Sequence, residues 1–303
     1  MSTLVCLGLG YCARHYVAEF GQRFDRIIGT SRSPQSAAAL AAQRFGGRAV
    51  DMQAFDGKSA SPKIVASLTD ADALLVSAPP ADGVDPVLAA LGGALAGARK
   101  LQTVVYLSSL GVYADSGGAW VDETAPVIPG RARRGNARIE AEAAWQRLGV
   151  QYHLPVAILR LGGIYGPGQN NMARLKRGVA QRIAKPGHVS NRIHVFDIAQ
   201  AIEAVFARKA KGIFNIVDDE PTAPSDQIAY AAELLGIPAP PEIPFAEAAN
   251  TLSPMALSFY DGCIRARNSK LKADLGVRLR YPTCRDGLRA LFEAGDHLEE
   301  RQA

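Results

Sequence analysis

Gly8-Leu9-Gly10-Tyr11-Cys12-Ala13 follows a short apolar run, Leu4 to Leu7, and opens a stretch with Ala13, Tyr16, Val17 and Phe20 at helical spacing. Between a strand and a helix, a G-x-G-x-x-A string is suited to holding phosphate. Gly8 permits a tight turn, Gly10 lets main chain approach a pyrophosphate, Ala13 allows close helix packing, and the helix N-terminus offers N–H groups. Tyr11 and Cys12 belong to the same turn. The string by itself also fits a purely structural strand-to-helix turn. Cys12 could have a redox role if the helix N-terminus lowers its thiol pKa, and the plainer reading is a small packing residue.

The residues after the second strand indicate which dinucleotide. A site selective for NAD places Asp or Glu about 20 residues beyond the glycines to grip the ribose 2′-OH. Here stand Thr30, Ser31 and Arg32, and no carboxylate lies between Ile27 and Val50. Arg32 can pair bidentately with a 2′-phosphate and Ser31 can donate to it, so NADP is expected, with NAD as the other possibility. The alternative for Arg32 is a solvated loop charge.

The elements that must position these residues alternate. Leu4 to Leu7, Arg26 to Ser31, Ala73 to Ala78, Thr103 to Ser108 and Val156 to Leu161 are short apolar runs bounded by Gly, Pro or Ser, as for strands buried on both faces. Between them lie helical patterns such as Val84, Val87, Leu88, Leu91 and Leu95. Strand and helix in turn predict an α/β fold, a Rossmann-type doubly wound parallel sheet. Ile193 to Phe206 and Ile213 to Val217 are expected to return to that sheet. Ser225 and Asp226 start a helix that Gly236 ends, and the segment from Pro238 to Pro244 looks like a boundary. The reading is a dinucleotide-binding domain of residues 1–165 plus about 190–220, and a smaller C-terminal α/β substrate domain of about 166–189 plus 221–303.

Composition narrows the class. The 303 residues are 48% hydrophobic and 21% charged, ordinary for a globular protein. The net charge of +5, without a basic stripe interleaved with aromatics, argues against nucleic acid and mildly for an anionic small molecule. Cys6, Cys12, Cys263 and Cys284 lack zinc-site or disulfide-scaffold spacing, and the five histidines lack ligand spacing, so no metal is expected. No signal peptide or bilayer-length apolar stretch appears, which predicts a cytoplasmic protein with no membrane partner.

Further motifs stand at strand ends: Leu107-Ser108-Ser109-Leu110-Gly111-Val112-Tyr113, Leu159-Arg160-Leu161-Gly162-Gly163-Ile164-Tyr165-Gly166-Pro167-Gly168, Ile193-His194-Val195-Phe196-Asp197, and Phe214-Asn215-Ile216-Val217-Asp218-Asp219-Glu220-Pro221. Together they resemble the extended short-chain dehydrogenases/reductases, the group of nucleotide-sugar epimerases and dehydratases, from residue 3 to about 290. The resemblance implies a coenzyme crevice that includes Ala78, Pro79, Ser108, Gly163 and Ile164. It makes Ser109 the holder of the substrate's reacting oxygen, and homodimerisation is common in the family. The family's Tyr-x-x-x-Lys falls on Arg134-Gly135-Asn136-Ala137-Arg138, so Arg134 replaces the Tyr and Arg138 the Lys. Leu7 replaces the first glycine of the usual pattern, which resembles the atypical extended subgroup.

The replacement changes what the site can do. Arg stays protonated over the accessible pH range, so it can stabilise an alkoxide or bind an anion but cannot act as a base. Tyr113, and Tyr165 in the loop that by resemblance covers the nicotinamide, are alternative proton donors if they are not simply packed. Arg131, Arg133, Arg134 and Arg138, and then Arg174, Lys176, Arg177, Arg182 and Lys185, are either solvated charge runs or a grip on a phosphate or carboxylate. The expectation is an NADP-dependent oxidoreductase or epimerase acting on an anionic substrate such as a nucleotide sugar. The alternative is an NADP-binding sensor that has lost its chemistry.

Overall fold

The computed structural model describes residues 1–80, 83–127 and 133–298, with side chains in the last stretch from 136 onward. In chain order the first half contains β1 (Thr3–Leu7), α1 (Tyr11–Phe20), β2 (Arg26–Ser31), α2 (Pro34–Ala41), β3 (Asp51–Ala54), α3 (Pro62–Thr69), β4 (Ala73–Val76), α4 (Pro86–Ala96), β5 (Thr103–Ser109), β6 (Trp120–Val121), α5 (Arg133–Gln151), β7 (Val156–Leu161) and β8 (Gly163–Tyr165). The second half adds α6 (Asn171–Lys176), β9 (Arg182–Ala184), β10 (Arg192–His194), α7 (Val195–Arg208), β11 (Gly212–Ile216), α8 (Pro224–Leu234), β12 (Glu242–Pro244), α9 (Phe245–Ala248), α10 (Pro254–Ser258), β13 (Arg265–Ala266), α11 (Ser269–Ala273) and α12 (Cys284–Glu293).

Seven parallel strands form one sheet in the order β11-β7-β5-β4-β1-β2-β3, as the alternating pattern requires. Every residue of β1, β4 and β7 is buried, because helices cover both faces. One apolar layer joins Leu4, Cys6, Leu75 and Leu159 to α1 and α7. The other joins Val5, Leu7, Leu74 and Tyr106 to α3, α4 and α5. The α2, α3 and α4 helices each start with Pro, and Ser33, Ser61 and Asp85 cap the first-turn N–H groups. Asp85 also accepts the Trp145 indole N–H at 3.1 Å, which ties α4 to α5.

Two strand expectations change. The strand beginning near Ile193, β10, does not return to the large sheet and pairs instead with β8, while β11 does return, beside β7. The proline-rich segment is no simple boundary, because β12 pairs with β9. A smaller core of Tyr165, Met172, Tyr230, Cys284, Leu288 and Leu291 lies under α6, α8 and α12. Buried Asp197 joins this part to the sheet layer by accepting the main-chain N–H groups of Arg280 at 2.7 Å and Tyr281 at 3.2 Å. Among the described residues no helix is long and apolar enough to cross a membrane.

Candidate functional site

The glycine turn has the shape its sequence requires. Gly8 sits at φ +91°, and a Cβ there would lie 3.0 Å from the Ala78 nitrogen and 3.1 Å from Ser77 Oγ. Its N–H donates to Thr30 Oγ1 at 2.8 Å, and the Leu9 N–H donates to the Thr30 carbonyl at 2.8 Å. Ser77 Oγ donates to the Gly8 carbonyl. No side chain caps α1 at Gly10, so its first-turn amides are placed to take a phosphate. The turn, the missing cap and the glycine cradle fit a dinucleotide pyrophosphate.

Ala13 is buried against the sheet. Burial pushes the Cys12 thiol up to about 12, which suits packing and suppresses the thiolate that redox chemistry needs. The Tyr11 hydroxyl donates to the Pro167 carbonyl at 3.1 Å, joining the turn to the loop after β8. Asp296 holds that loop from its other side, accepting from the Gly168 N–H at 2.8 Å and from Asn170 Nδ2 at 2.7 Å.

At the end of β2, Thr30 is buried, Ser31 half-buried and Arg32 exposed. Ser33, next in sequence, is already used to cap α2. Arg32 has no ion-pair partner among the described residues. Ala78 and Pro79 follow β4 on the same edge of the sheet, half-buried and exposed respectively.

Further along that edge, Ser108, Arg160 and Asn215 stand in register on β5, β7 and β11. Ser108 Oγ donates to Glu142 Oε1 of α5 at 2.5 Å, and Arg160 binds the same carboxylate, Nη2 to Oε2 at 2.7 Å. The Ser108 hydroxyl is thus committed to the interior. The Arg160 guanidinium lies 4.7 Å from the Tyr113 ring centroid, and Tyr113 donates to Asn215 Oδ1 at 2.8 Å. Burial raises the Tyr113 phenol, with Arg160 acting against the shift. Ser109, pointing to the opposite face, is half-buried, and its Oγ accepts the Gly111 N–H at 3.1 Å. Arg138, one helical turn before Glu142, donates from Nη1 to the Leu107 carbonyl at 3.3 Å. The Arg131, Arg133 and Arg134 side chains lie outside the described residues.

Tyr165 is 1% exposed, within the smaller core. Its hydroxyl donates to the Thr283 carbonyl at 3.4 Å, and a Cβ on Gly287 would fall 2.1 Å from its oxygen. Burial pushes its phenol far above the ordinary range, so these surroundings give it a packing role rather than a proton to donate. His194 lies between the Tyr165 and Tyr281 rings, accepts the Phe196 N–H on Nδ1 at 3.2 Å, and is lowered to about 3 by burial. Gly163 and Ile164 form the half-buried start of β8.

The cations after β7 divide. Lys176 donates to the His297 carbonyl, Arg177 to the Ala173 carbonyl at 3.1 Å, and Lys185 to the Tyr260 carbonyl at 2.6 Å, while Arg182 pairs with Glu242 at 2.8 Å. Arg174 has no such acceptor among the described residues. Sequence reasoning missed Arg192, which lies against Gly163, and Asp218, 2% exposed with no hydrogen-bond partner at ordinary distance for either carboxylate oxygen among the described residues. It also missed the Glu142–Arg160 pair. A signal was available there, because a charge inside Leu159-Arg160-Leu161 in a buried strand demands a partner.

Comparison with known proteins agrees with this geometry. The profile of the NAD dependent epimerase/dehydratase family matches residues 8–216. A curated Streptomyces protein, 3-diazoavenalumate denitrifying reductase, is 30% identical over 206 residues, 64% of this chain; the chain spans 65% of that relative's length. A functionally unknown conserved protein from Silicibacter pomeroyi superposes with a TM-score of 0.85 at 44% identity, covering 97% of this chain and 99% of the other. Human epimerase family protein SDR39U1 with NADPH shares the fold at a TM-score of 0.69 and 17% identity, over 96% and 99% of the two chains. Bacillus cereus UDP-glucuronic acid 4-epimerase with NAD does so at 0.74 and 16%, over 99% of both chains. The chain therefore belongs to the NAD dependent epimerase/dehydratase family, with the Rossmann-type nucleotide-binding fold of the extended short-chain dehydrogenases/reductases.

Proposed function

We propose that this chain is an NADP-dependent oxidoreductase that reduces or oxidises a small anionic carbonyl or hydroxyl compound. The observation that carries the coenzyme choice is the end of β2, where exposed Arg32 follows Ser31 and no carboxylate lies between Ile27 and Val50. The solved neighbours with NADPH and with NAD support a nicotinamide dinucleotide, and the reductase among the relatives supports net redox chemistry.

Glycines 8 and 10 and the start of α1 would hold the pyrophosphate, and Arg32 and Ser31 the 2′-phosphate. When bound, the coenzyme would supply or accept a hydride. The chain's own part is then to orient and to stabilise charge. Ser109 has a hydroxyl proton to offer the substrate oxygen, and Arg138 lies between β5 and α5 to offset developing negative charge. Neither Arg138 nor Arg134 can exchange a proton at accessible pH, so in reduction the new alkoxide would take its proton from water and in oxidation the hydroxyl would give its proton to water.

Arg in place of the family's Tyr and Lys favours a second reading, a coenzyme-binding module without turnover. NADPH absorbance followed against a panel of ketones, keto acids and nucleotide sugars separates the two. Coenzyme-linked turnover of any member supports the enzyme. NADPH binding with no turnover across the panel supports the module, and tighter NADH than NADPH binding overturns the NADP assignment.

A further inference from the structure

We infer that Asp296 is a coenzyme-positioning residue, which bonds the loop after β8 and so sets how long a bound nicotinamide dinucleotide stays, without touching it. This rests on the coenzyme reading above and adds a distant group to that site. The loop is tied within itself. Gly166 and Gln169 exchange main-chain bonds, the Gly166 N–H to the Gln169 carbonyl at 3.1 Å and the reverse at 3.0 Å. Buried Asn170 ends the turn, donating from Nδ2 to the Gly166 carbonyl at 3.0 Å and accepting the Ala173 N–H on Oδ1 at 3.0 Å. The loop is thus one body with the start of α6.

That body meets the glycine turn directly. The Tyr11 hydroxyl donates to the Pro167 carbonyl at 3.1 Å, and a Cβ on Gly166 would fall 2.7 Å from the Tyr11 oxygen and 2.6 Å from Val195 Cγ1. Tyr11 is the first residue of α1, so the loop lies one tyrosine ring away from the amides assigned to the pyrophosphate. A single bond from a neutral phenol contributes little by itself.

Asp296 supplies the stronger tie. Each of its carboxylate oxygens takes a different donor, the Gly168 N–H at 2.8 Å and Asn170 Nδ2 at 2.7 Å, and bonds to a charged acceptor are roughly twice as strong as neutral ones. Its aim is fixed by the end of α12. Gly295, at φ +77°, turns the chain out of the helix in the left-handed region, and the Asp296 N–H donates to the Leu291 carbonyl at 3.0 Å. On its other side Lys176 of α6 donates to the His297 carbonyl, and the His297 ring stacks on Phe292 at 4.3 Å. The carboxylate is therefore preorganised toward the loop, and removing it takes away both charge-assisted bonds at once.

The test measures NADPH dissociation by stopped-flow fluorescence, with excess NADP⁺ as the chase. Asp296→Ala should speed dissociation about 10-fold, the worth of charge-assisted bonds lost from a bound state. Asp296→Asn should fall between it and wild type, because its amide oxygen can accept one of the two bonds while its NH₂ faces a donor. Asp286→Ala is the control for a merely structural effect: Asp286 closes the capping box at the other end of α12, so its loss weakens the same helix and should leave dissociation within about twofold of wild type. Dissociation from Asp296→Ala at the wild-type rate would overturn the inference, and so would an Asp286→Ala rate raised as far as that of Asp296→Ala. Should Asp296→Ala fail to fold, Asp296→Asn decides it, a wild-type rate again counting against the inference. Wild-type protein that binds neither NADPH nor NADH would instead overturn the coenzyme reading and this inference with it, a failure distinct from a variant that dissociates like wild type.

Discussion

Arg160 of β7 grips Glu142 of α5 inside the protein, with Nη2 to Oε2 at 2.7 Å and Nε 3.2 Å from both carboxylate oxygens. Ser108 adds a third donor to the same carboxylate. This contact sets how α5 lies against the sheet, and so where Arg138 stands relative to Ser109. Glu142→Ala leaves Arg160 buried and unpaired, a loss of about 3–5 kcal/mol, and thermal melting should fall by on the order of 10 °C. The double change Glu142→Leu with Arg160→Met should recover much of that. A double variant no more stable than the single one would show that the charges do not interact as the distances imply.

Arg32→Ala should weaken NADPH binding by about 10- to 100-fold, the worth of a charge-assisted phosphate contact, while leaving NADH binding within about twofold. Fluorescence titration with both coenzymes reads this directly. Equal losses for the two would move the 2′-phosphate elsewhere.

Ser109→Ala removes the hydroxyl proposed to hold the reacting oxygen but keeps the strand and the glycine turn. For any substrate that turns over, kcat should fall by about 100-fold with NADPH affinity unchanged. Tyr165→Phe should leave kcat within about twofold, because the Tyr165 hydroxyl is bonded to the Thr283 carbonyl inside the smaller core. A large loss in the Tyr165 variant would return that residue to the reacting centre.

Asp218 provides a pH signature. Unfolded, its carboxyl titrates near ~3.9; folded, burial lifts it to about 8. Between those values the folded state binds more protons, so the stability this group contributes is full below the lower one and is lost as pH rises through the upper. Asn at 218 cannot ionise. The melting temperature of Asp218→Asn minus that of wild type should therefore grow between about pH 5 and pH 9. His194 works in the opposite sense: lowered to about 3, it erodes stability as pH falls below its unfolded value. A difference that stays constant with pH would mean that Asp218 is not the group that titrates.

Much of the sheet was legible, because Leu4 to Leu7 and Val156 to Leu161 are apolar runs that only a strand covered on both faces explains. β3 was not, since Asp51-Met52-Gln53-Ala54 carries no such run and is recruited by register with Ile28 to Ser31. β10 reads as a strand in isolation, yet its partner is settled by tertiary packing against β8. In the site, the glycine turn was readable because its chemistry is local. The fate of the cations was not. Lys176, Arg177, Arg182 and Lys185 look alike in a charge run, and only the fold shows which find oxygen atoms of the protein. Arg192 gave no signal beside the Ile193-His194 motif, because its meaning comes from Gly163, 29 positions earlier.

The loop from Gly166 to Asn170 is gripped by Tyr11 at one end of the chain and by Asp296 at the other. A pull on either grip reaches the other through a handful of residues. In the proposed enzyme, a movement of this loop that admits substrate would strain or break the Tyr11–Pro167 bond beside the glycine turn. Departure of product and of spent coenzyme would be parts of one mechanical event, and the two escape rates would rise and fall together.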